Sequence, residues 1–313
     1  NYNVVVGDEA GTAITTGDNN VAVGYAALDA TTTSADNTAV GYASLGANIT
    51  GAANTAVGSL TLDANTTGSH NTALGYGAMS ATTTGGWCTA VGRDALGAHT
   101  TGADNTAVGY ACMQDLTTGT NNVAMGTTAL ANLTTTAGNT AIGKSALTSS
   151  VTGSYNTALG YLSLTACLDG GNNIAVGHNA LTANTSGGNN VALGTNALLA
   201  NTSATGNIAV GYNSLDANTT GASNTSVGYY ALSANVTDAH NTAIGNASMQ
   251  SSNGTVGSTA VGSQSLNGVT TGDYNVAVGY NSGLVMTSGD RNVAIGATAL
   301  DACTTGQYNV AVG

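Results

Sequence analysis

The sequence has no proline, no phenylalanine, a single tryptophan (Trp87) and only three basic residues, Arg93, Lys144 and Arg291, among 313. Each shortage excludes something. A globular core of this size normally relies on aromatic side chains, because each one buries a large apolar area. A chain without them builds a thin core from Ala, Val, Leu and Thr. Three bases against 15 acids give a net charge of −12. That excludes nucleic acid, whose binding needs Lys or Arg to displace counterions, and it disfavours anionic lipid. Charged residues make up 6% of the chain, far below the roughly 25% of an ordinary domain. Hydrophobicity is nevertheless moderate and the aliphatics are evenly spaced, which is not the composition of a disordered chain. No apolar run approaches the roughly 20 residues of a membrane span, so membrane insertion is not expected. The four cysteines, Cys88, Cys112, Cys167 and Cys303, form no CxxC pair or other metal spacing. They read as replacements of small residues.

What the sequence has instead is a period. A tetrapeptide of the Asn-Thr-Ala-Val type is followed by glycine at Gly7, Gly24, Gly41, Gly58, Gly75, Gly92, Gly109, Gly126, Gly143, Gly160, Gly177, Gly194, Gly211, Gly228, Gly245, Gly262, Gly279, Gly296 and Gly313. Every interval is 17 residues, giving 18 full periods without insertion or deletion. With the Asn as position one, this glycine is position five. The Asn column comprises Asn3, Asn20, Asn37, Asn54, Asn71, Asn105, Asn122, Asn139, Asn156, Asn173, Asn190, Asn207, Asn224, Asn241, Asn275, Asn292 and Asn309, with Cys88 and Ser258 as its exceptions. Position two is always Thr, Val or Ile, and position four always Val, Ile, Leu or Met. Position nine is Leu or Met except at Gly11 and Gly283.

A period held this strictly means one coil per repeat, each stacked on the last, because an insertion would put every later column out of register. Seventeen is not a helical multiple, and β-branched residues at position two disfavour a helix. The expected fold is therefore all-β: a parallel β-solenoid, or β-roll, of 18 coils, forming a single uninterrupted domain over residues 1–313. Positions one to six read as a short strand and positions seven to eleven as a second. Positions twelve to seventeen read as a turn, with Gly at position fifteen in 13 of 18 copies supplying positive φ. At about 4.8 Å per coil the stack would extend roughly 85 Å. The aliphatics of positions four and nine are expected inside, and small residues at three, five and eight allow close approach of sheets or chains. The Asn column is expected to form a structural ladder, its amides bonding locally and along the stack. The invariant glycines form a second structural column.

Motifs such as Asn173-Ile174-Ala175-Val176-Gly177 and Asn292-Val293-Ala294-Ile295-Gly296 resemble the YadA-like head repeats of trimeric autotransporter adhesins. Similar repeats occur in phage tail-fibre-like proteins. The resemblance runs through the whole chain. It implies a left-handed roll, three chains side by side, and adhesion at a cell surface or virion appendage. The period here is longer than the usual head repeat, and no neck, heptad stalk or anchor barrel is visible.

Chemistry is sparse. His70, His99, His178 and His240 do not recur beside a nucleophile and a carboxylate pair, and His70 and His240 lie ten coils apart in one column. No enzyme, cofactor or metal site is expected. Asp169-Gly170-Gly171-Asn172-Asn173 and Asp18-Asn19-Asn20 are the best oxygen-rich stretches for calcium, but the calcium nonapeptide is absent. Asn-x-Ser/Thr sequons occur at Asn48, Asn65, Asn132, Asn184, Asn201, Asn218, Asn224, Asn235, Asn246 and Asn253. Tyrosine recurs at position six (Tyr25, Tyr42, Tyr76, Tyr110, Tyr161, Tyr212, Tyr229, Tyr280), as a packing stripe or as a stacking surface for sugars.

Three functional readings follow. The first is an extracellular fibre or adhesin shaft, one segment of a longer fibrous protein, self-associating as a homotrimer and able to engage a host receptor or glycan. The second is a self-assembling extracellular filament subunit, stacking end to end through uncapped coils. The third is an ice-binding solenoid, through Thr columns such as Thr31 to Thr33 and Thr82 to Thr84.

Overall fold

A computed structural model describes residues 2–313 and contains no helix among them. The chain divides into two compact units, one ending at Tyr155 and one beginning at Asn156. Each is a parallel β-solenoid with one three-residue strand per 17-residue coil. The first carries nine strands, from β1 (Val4–Val6) to β9 (Thr140–Ile142). The second carries ten, from β10 (Thr157–Leu159) to β19 (Val310–Val312). Within each unit successive strands pair in parallel with a shift of one repeat, as Ile208, Ala209 and Val210 of β13 (Ile208–Val210) do with Thr225, Ser226 and Val227 of β14 (Thr225–Val227).

Two expectations about the strands are corrected here. The strand occupies only positions two to four, not one to six. Positions seven to eleven are not a second strand, because residues seven and nine are left-handed in coil after coil, as at Ala26 (φ 51°) and Leu28 (φ 53°). A left-handed non-glycine residue costs about 1–2 kcal/mol. At position nine that strain is offset by burying a Leu side chain, worth about 1.5–3 kcal/mol. The backbone still bonds from coil to coil in this segment. The Leu28 N–H donates to the Ser44 carbonyl at 3.1 Å, and the Ala26 N–H to Asp8 at 3.0 Å.

The interior also differs from expectation. Position nine is fully buried from Leu28 to Leu266. Position four faces outward: Leu74 and Met125 are 46% and 50% exposed. The inward residue of each strand is the Ala at position three, at 0% exposure from Ala22 to Ala277 apart from Ser226, which is equally buried. A period of two makes this a strict choice, since inward position three puts two and four outside. Ala suits it because the facing wall lies close. The Ser44 hydroxyl at position eight reaches across to the Ala56 carbonyl at 3.1 Å.

Position twelve, expected in a turn, is an interior column, buried from Thr31 to Met286. It compensates for position nine. Where nine is Gly11 or Gly283, twelve is the long Ile14 or Met286. A Cβ on Gly11 would lie 3.0 Å from the Ile14 Cδ1 atom, and one on Gly283 3.7 Å from the Met286 Cε atom. At Gly11 the Ile14 side chain leans into the space that the missing Leu leaves, and at Gly283 that space is shared by Leu266, whose Cδ2 lies 2.8 Å from the Cβ position, and Met286.

The glycine columns separate by mechanism. At position five φ lies near +135°, and an added Cβ would fall 2.4 Å from the next coil's carbonyl oxygen, as at Gly92 against Gly109. At position fifteen the expected positive φ is not found. There glycine answers to close approach: a Cβ on Gly51 would sit 2.2 Å from the Gly68 oxygen. The left-handed corner of the turn is position seventeen, occupied by residues such as Asp36 (φ 62°) and His70 (φ 61°).

Candidate functional site: interior ladders and outer columns

The Asn side chain at position one bridges two coils. Asn20 Oδ1 accepts the N–H of Asn37 at 3.0 Å, and Asn20 Nδ2 donates to the Ser34 carbonyl at 2.9 Å. The pattern repeats along each unit, for example at Asn54 and Asn71 and at Asn190 and Asn207. Its main bonds run from amide to backbone, with direct amide–amide contacts added at places such as Asn309 to Asn292 (2.9 Å). An unpaired buried amide would cost about 1–3 kcal/mol, so the column satisfies peptide groups where the chain enters each strand.

A second ladder was not legible as such. At position twelve, Asn201 donates to Asn184 at 2.8 Å, Asn218 to Asn201 at 3.0 Å and Asn235 to Asn218 at 3.0 Å. Each amide also donates to the position-fifteen carbonyl three residues on, as Asn184 does to Gly187 at 2.9 Å. The Asn-Thr-Thr stretches look like turn sequence, and nothing local shows that their Asn points inward. The signal was the column itself, in which small polar residues alternate with Leu116, Leu133, Val269 and Met286. Burial also removes most of the sequons from the surface. The position-twelve sequons and Asn224 have no exposed surface, whereas Asn132, Asn246 and Asn253 are exposed.

Outside, the sheet presents positions two and four, and the turn side presents fourteen and seventeen. Position-six tyrosines stack along the coil axis, Tyr25 on Tyr42 at 5.5 Å and Tyr212 on Tyr229 at 5.4 Å. Arg93 lies between Tyr76 and Tyr110, 5.6 and 5.9 Å from their ring centres. At position seventeen His70 stacks on Trp87 at 5.4 Å, and Arg291 lies against Tyr274 at 5.3 Å and Tyr308 at 5.7 Å. These contacts cover part of the tyrosine surface, and the position-six rings stay about half exposed, Tyr280 at 57%.

No protein-family model matches the chain, and no curated protein matches it.

Of the remaining reactive groups, His99 and Cys88 are buried beside one another, while Cys112 and Cys167 are buried in other coils. His99, at position twelve, has its Nδ1 3.1 Å from the Thr82 hydroxyl and its Nε2 4.0 Å from the Cys88 sulfur. Burial pushes the imidazole down to about 4 and the Cys88 thiol upward. Both shifts favour neutral forms, the opposite of the thiolate–imidazolium pair a cysteine nucleophile needs. Burial likewise pushes Cys112 up to about 12 and Cys167 to about 11. Among the described residues no three His, Cys, Asp or Glu side chains converge as a metal site. That includes the stretches at Asp18 and Asp169. None of the described residues forms a helix long and apolar enough to cross a membrane.

Proposed function

We propose that this chain is the shaft or head of an extracellular fibre or adhesin at a cell surface or virion, acting through repeated outer columns and associating side by side with copies of itself. It is not read as an enzyme. The observation that carries this reading is the outward sheet face, where position four exposes Leu74, Met125, Leu159 and Ile244 at 40% or more. Contiguous exposed apolar columns mark association surfaces. A second copy is the fitting occupant because its own columns repeat at the same spacing. A contact made once is then made in every coil, and weak contacts add. Positions two and four carry no charged residue, so this face brings no like charges together. The resemblance to adhesin heads supports three chains.

Light scattering across a concentration series tests it. A fixed mass of three chains is expected, falling in a Leu74→Glu, Met125→Glu variant that keeps its fold. A single-chain mass at all concentrations would end the lateral reading, and a mass that climbs with concentration would favour the end-to-end filament.

One observation favours the ice-binding reading. In the first unit position fourteen is Thr in every copy, from Thr16 to Thr152, and each is exposed. A thermal-hysteresis assay without activity would remove it.

A further inference from the structure

The sequence contains two Asn-Gly pairs, Asn253-Gly254 and Asn267-Gly268, and the fold treats them differently. Asn253 is exposed at position thirteen, beside a groove lined by Ser233, Gln250 and Thr270. Its side-chain amide makes no hydrogen bond among the described residues. The next peptide nitrogen, that of Gly254, donates to the Asp238 carboxylate, whose same oxygen also accepts the Thr255 N–H at 2.9 Å. Asp238 is itself buried, at 7% exposure. Its backbone carbonyl is held by Asn224 at 2.8 Å and Asn235 at 3.2 Å. A fixed carboxylate therefore touches the one backbone nitrogen that can attack the Asn253 side chain.

We propose that Asn253 is a self-modification site, deamidating through a cyclic imide with Asp238 as general base. The Gly254 nitrogen bonds to Asn253 Cγ while its proton passes to the Asp238 carboxylate. The tetrahedral centre then expels Nδ2, which takes that proton and leaves as ammonia. Water opens the ring at either carbonyl, giving aspartate or isoaspartate at 253, so the net change is water in and ammonia out. Glycine at 254 leaves the attack unhindered by a side chain. The base lies within hydrogen-bond reach of the proton it removes, the first requirement for its role. Asn267-Gly268 lacks these features. The Gly268 N–H donates to the Leu284 carbonyl at 2.9 Å, and the Asn267 amide is pinned to Ala247 at 2.9 Å.

The test is peptide mapping by mass spectrometry of folded protein aged at neutral pH, following aspartate and isoaspartate at both sites. Asn253 is expected to convert at least about tenfold faster than Asn267, the two rates converging in denaturant, where neither pair keeps its surroundings. Asp238→Asn retains oxygen to accept the turn's N–H groups but is no base. It should slow Asn253 on the order of 10²-fold, whereas a merely turn-holding Asp238 would leave the rate unchanged. Asp238→Gly installs the commonest residue at position fifteen, so it decides the matter if the Asn variant misfolds, and it should slow the reaction equally. Equal folded-state rates at the two sites, or an unchanged rate in the Asp238 variants, would overturn the proposal.

Discussion

Asn235 and Ser252 occupy position twelve of successive coils, and between them the amide ladder stops. Asn235 Oδ1 and the Ser252 hydroxyl are both buried and neither finds a hydrogen-bond partner among the described residues. One ladder ends the same way in the first unit, where Asn65 Oδ1 faces the coil of Thr82. Ser252→Asn continues the ladder, supplying Nδ2 to Asn235 as Asn235 does to Asn218. We expect a gain of about 1 kcal/mol, read as a higher denaturant midpoint. Asn218→Ala removes three bonds, to Asn201, to Gly221 and from Asn235, and strands Asn201 Oδ1, so it should cost about 2 kcal/mol or more. A Ser252→Asn protein less stable than the parent would show that volume, not pairing, limits this column.

His99 gives stability a pH dependence. Its folded value, about 4, lies below the ordinary 6.5 because burial disfavours the charged form. The unfolded chain therefore binds the proton first as pH falls. The contribution of neutral His99 is complete above about 6.5, declines as pH drops towards 4, and has gone below that. The full span is worth about 3 kcal/mol. Denaturation midpoints between pH 7 and 4 should fall in the parent and flatten in His99→Asn, which places in this column the residue found at Asn48 and Asn65. Identical slopes in the two proteins would remove His99 as the cause.

Much of this architecture was legible in the sequence, and the misreadings share one origin. The 17-residue interval dictates coils because stacking tolerates no insertion, so fold class and coil number follow without any local detail. Which face points inward depends on local backbone geometry that composition conceals. Val57 looks like a core residue and Ala56 like a spacer, yet Ala56 is buried and Val57 half-exposed. From Ala22 to Ala294 the facing wall leaves room only for Ala or, at Ser226, for Ser. Leu28 looks like a strand residue, but it is a left-handed turn residue whose burial offsets its strain. Asn65 looks like a turn residue because Asn-Thr-Thr-Gly usually is one, and only the column shows it to be interior. Asp238, which faces Gly254 sixteen residues away, had no signal beyond its departure from glycine at position fifteen.

The thiols should divide sharply by accessibility. Cys88, Cys112 and Cys167 are buried, whereas Cys303 is half-exposed. Thiolate is the reacting species, and burial raises all three interior thiols. A disulfide reagent should titrate one thiol in the native protein, assigned to Cys303 by mass mapping and abolished in Cys303→Ser. All four should react after unfolding. Rapid native reaction at Cys112 would mean that the coils open on the timescale of the assay.

The two glycine columns, one invariant and one Gly in 13 of 18 copies, should respond differently to alanine. Gly92 combines φ +134° with a Cβ position 2.4 Å from the Gly109 oxygen, so Gly92→Ala meets backbone strain and a clash with backbone in the next coil. Neither can be relieved without separating coils, and the loss should be about 3 kcal/mol or more. Gly51 is more crowded on distance alone, its Cβ position 2.2 Å from the Gly68 oxygen, but its φ is not in the left-handed region. The chain already carries Ser34, Thr136 and Ala204 at that position, so the turn can shift to admit a Cβ. Gly51→Ala should therefore cost only about 1 kcal/mol. Denaturant midpoints of the two variants decide between strain and crowding as the origin of the invariant column. Equal losses would assign it to crowding, and a much larger loss at Gly92 would assign it to the left-handed backbone that each strand needs at its exit.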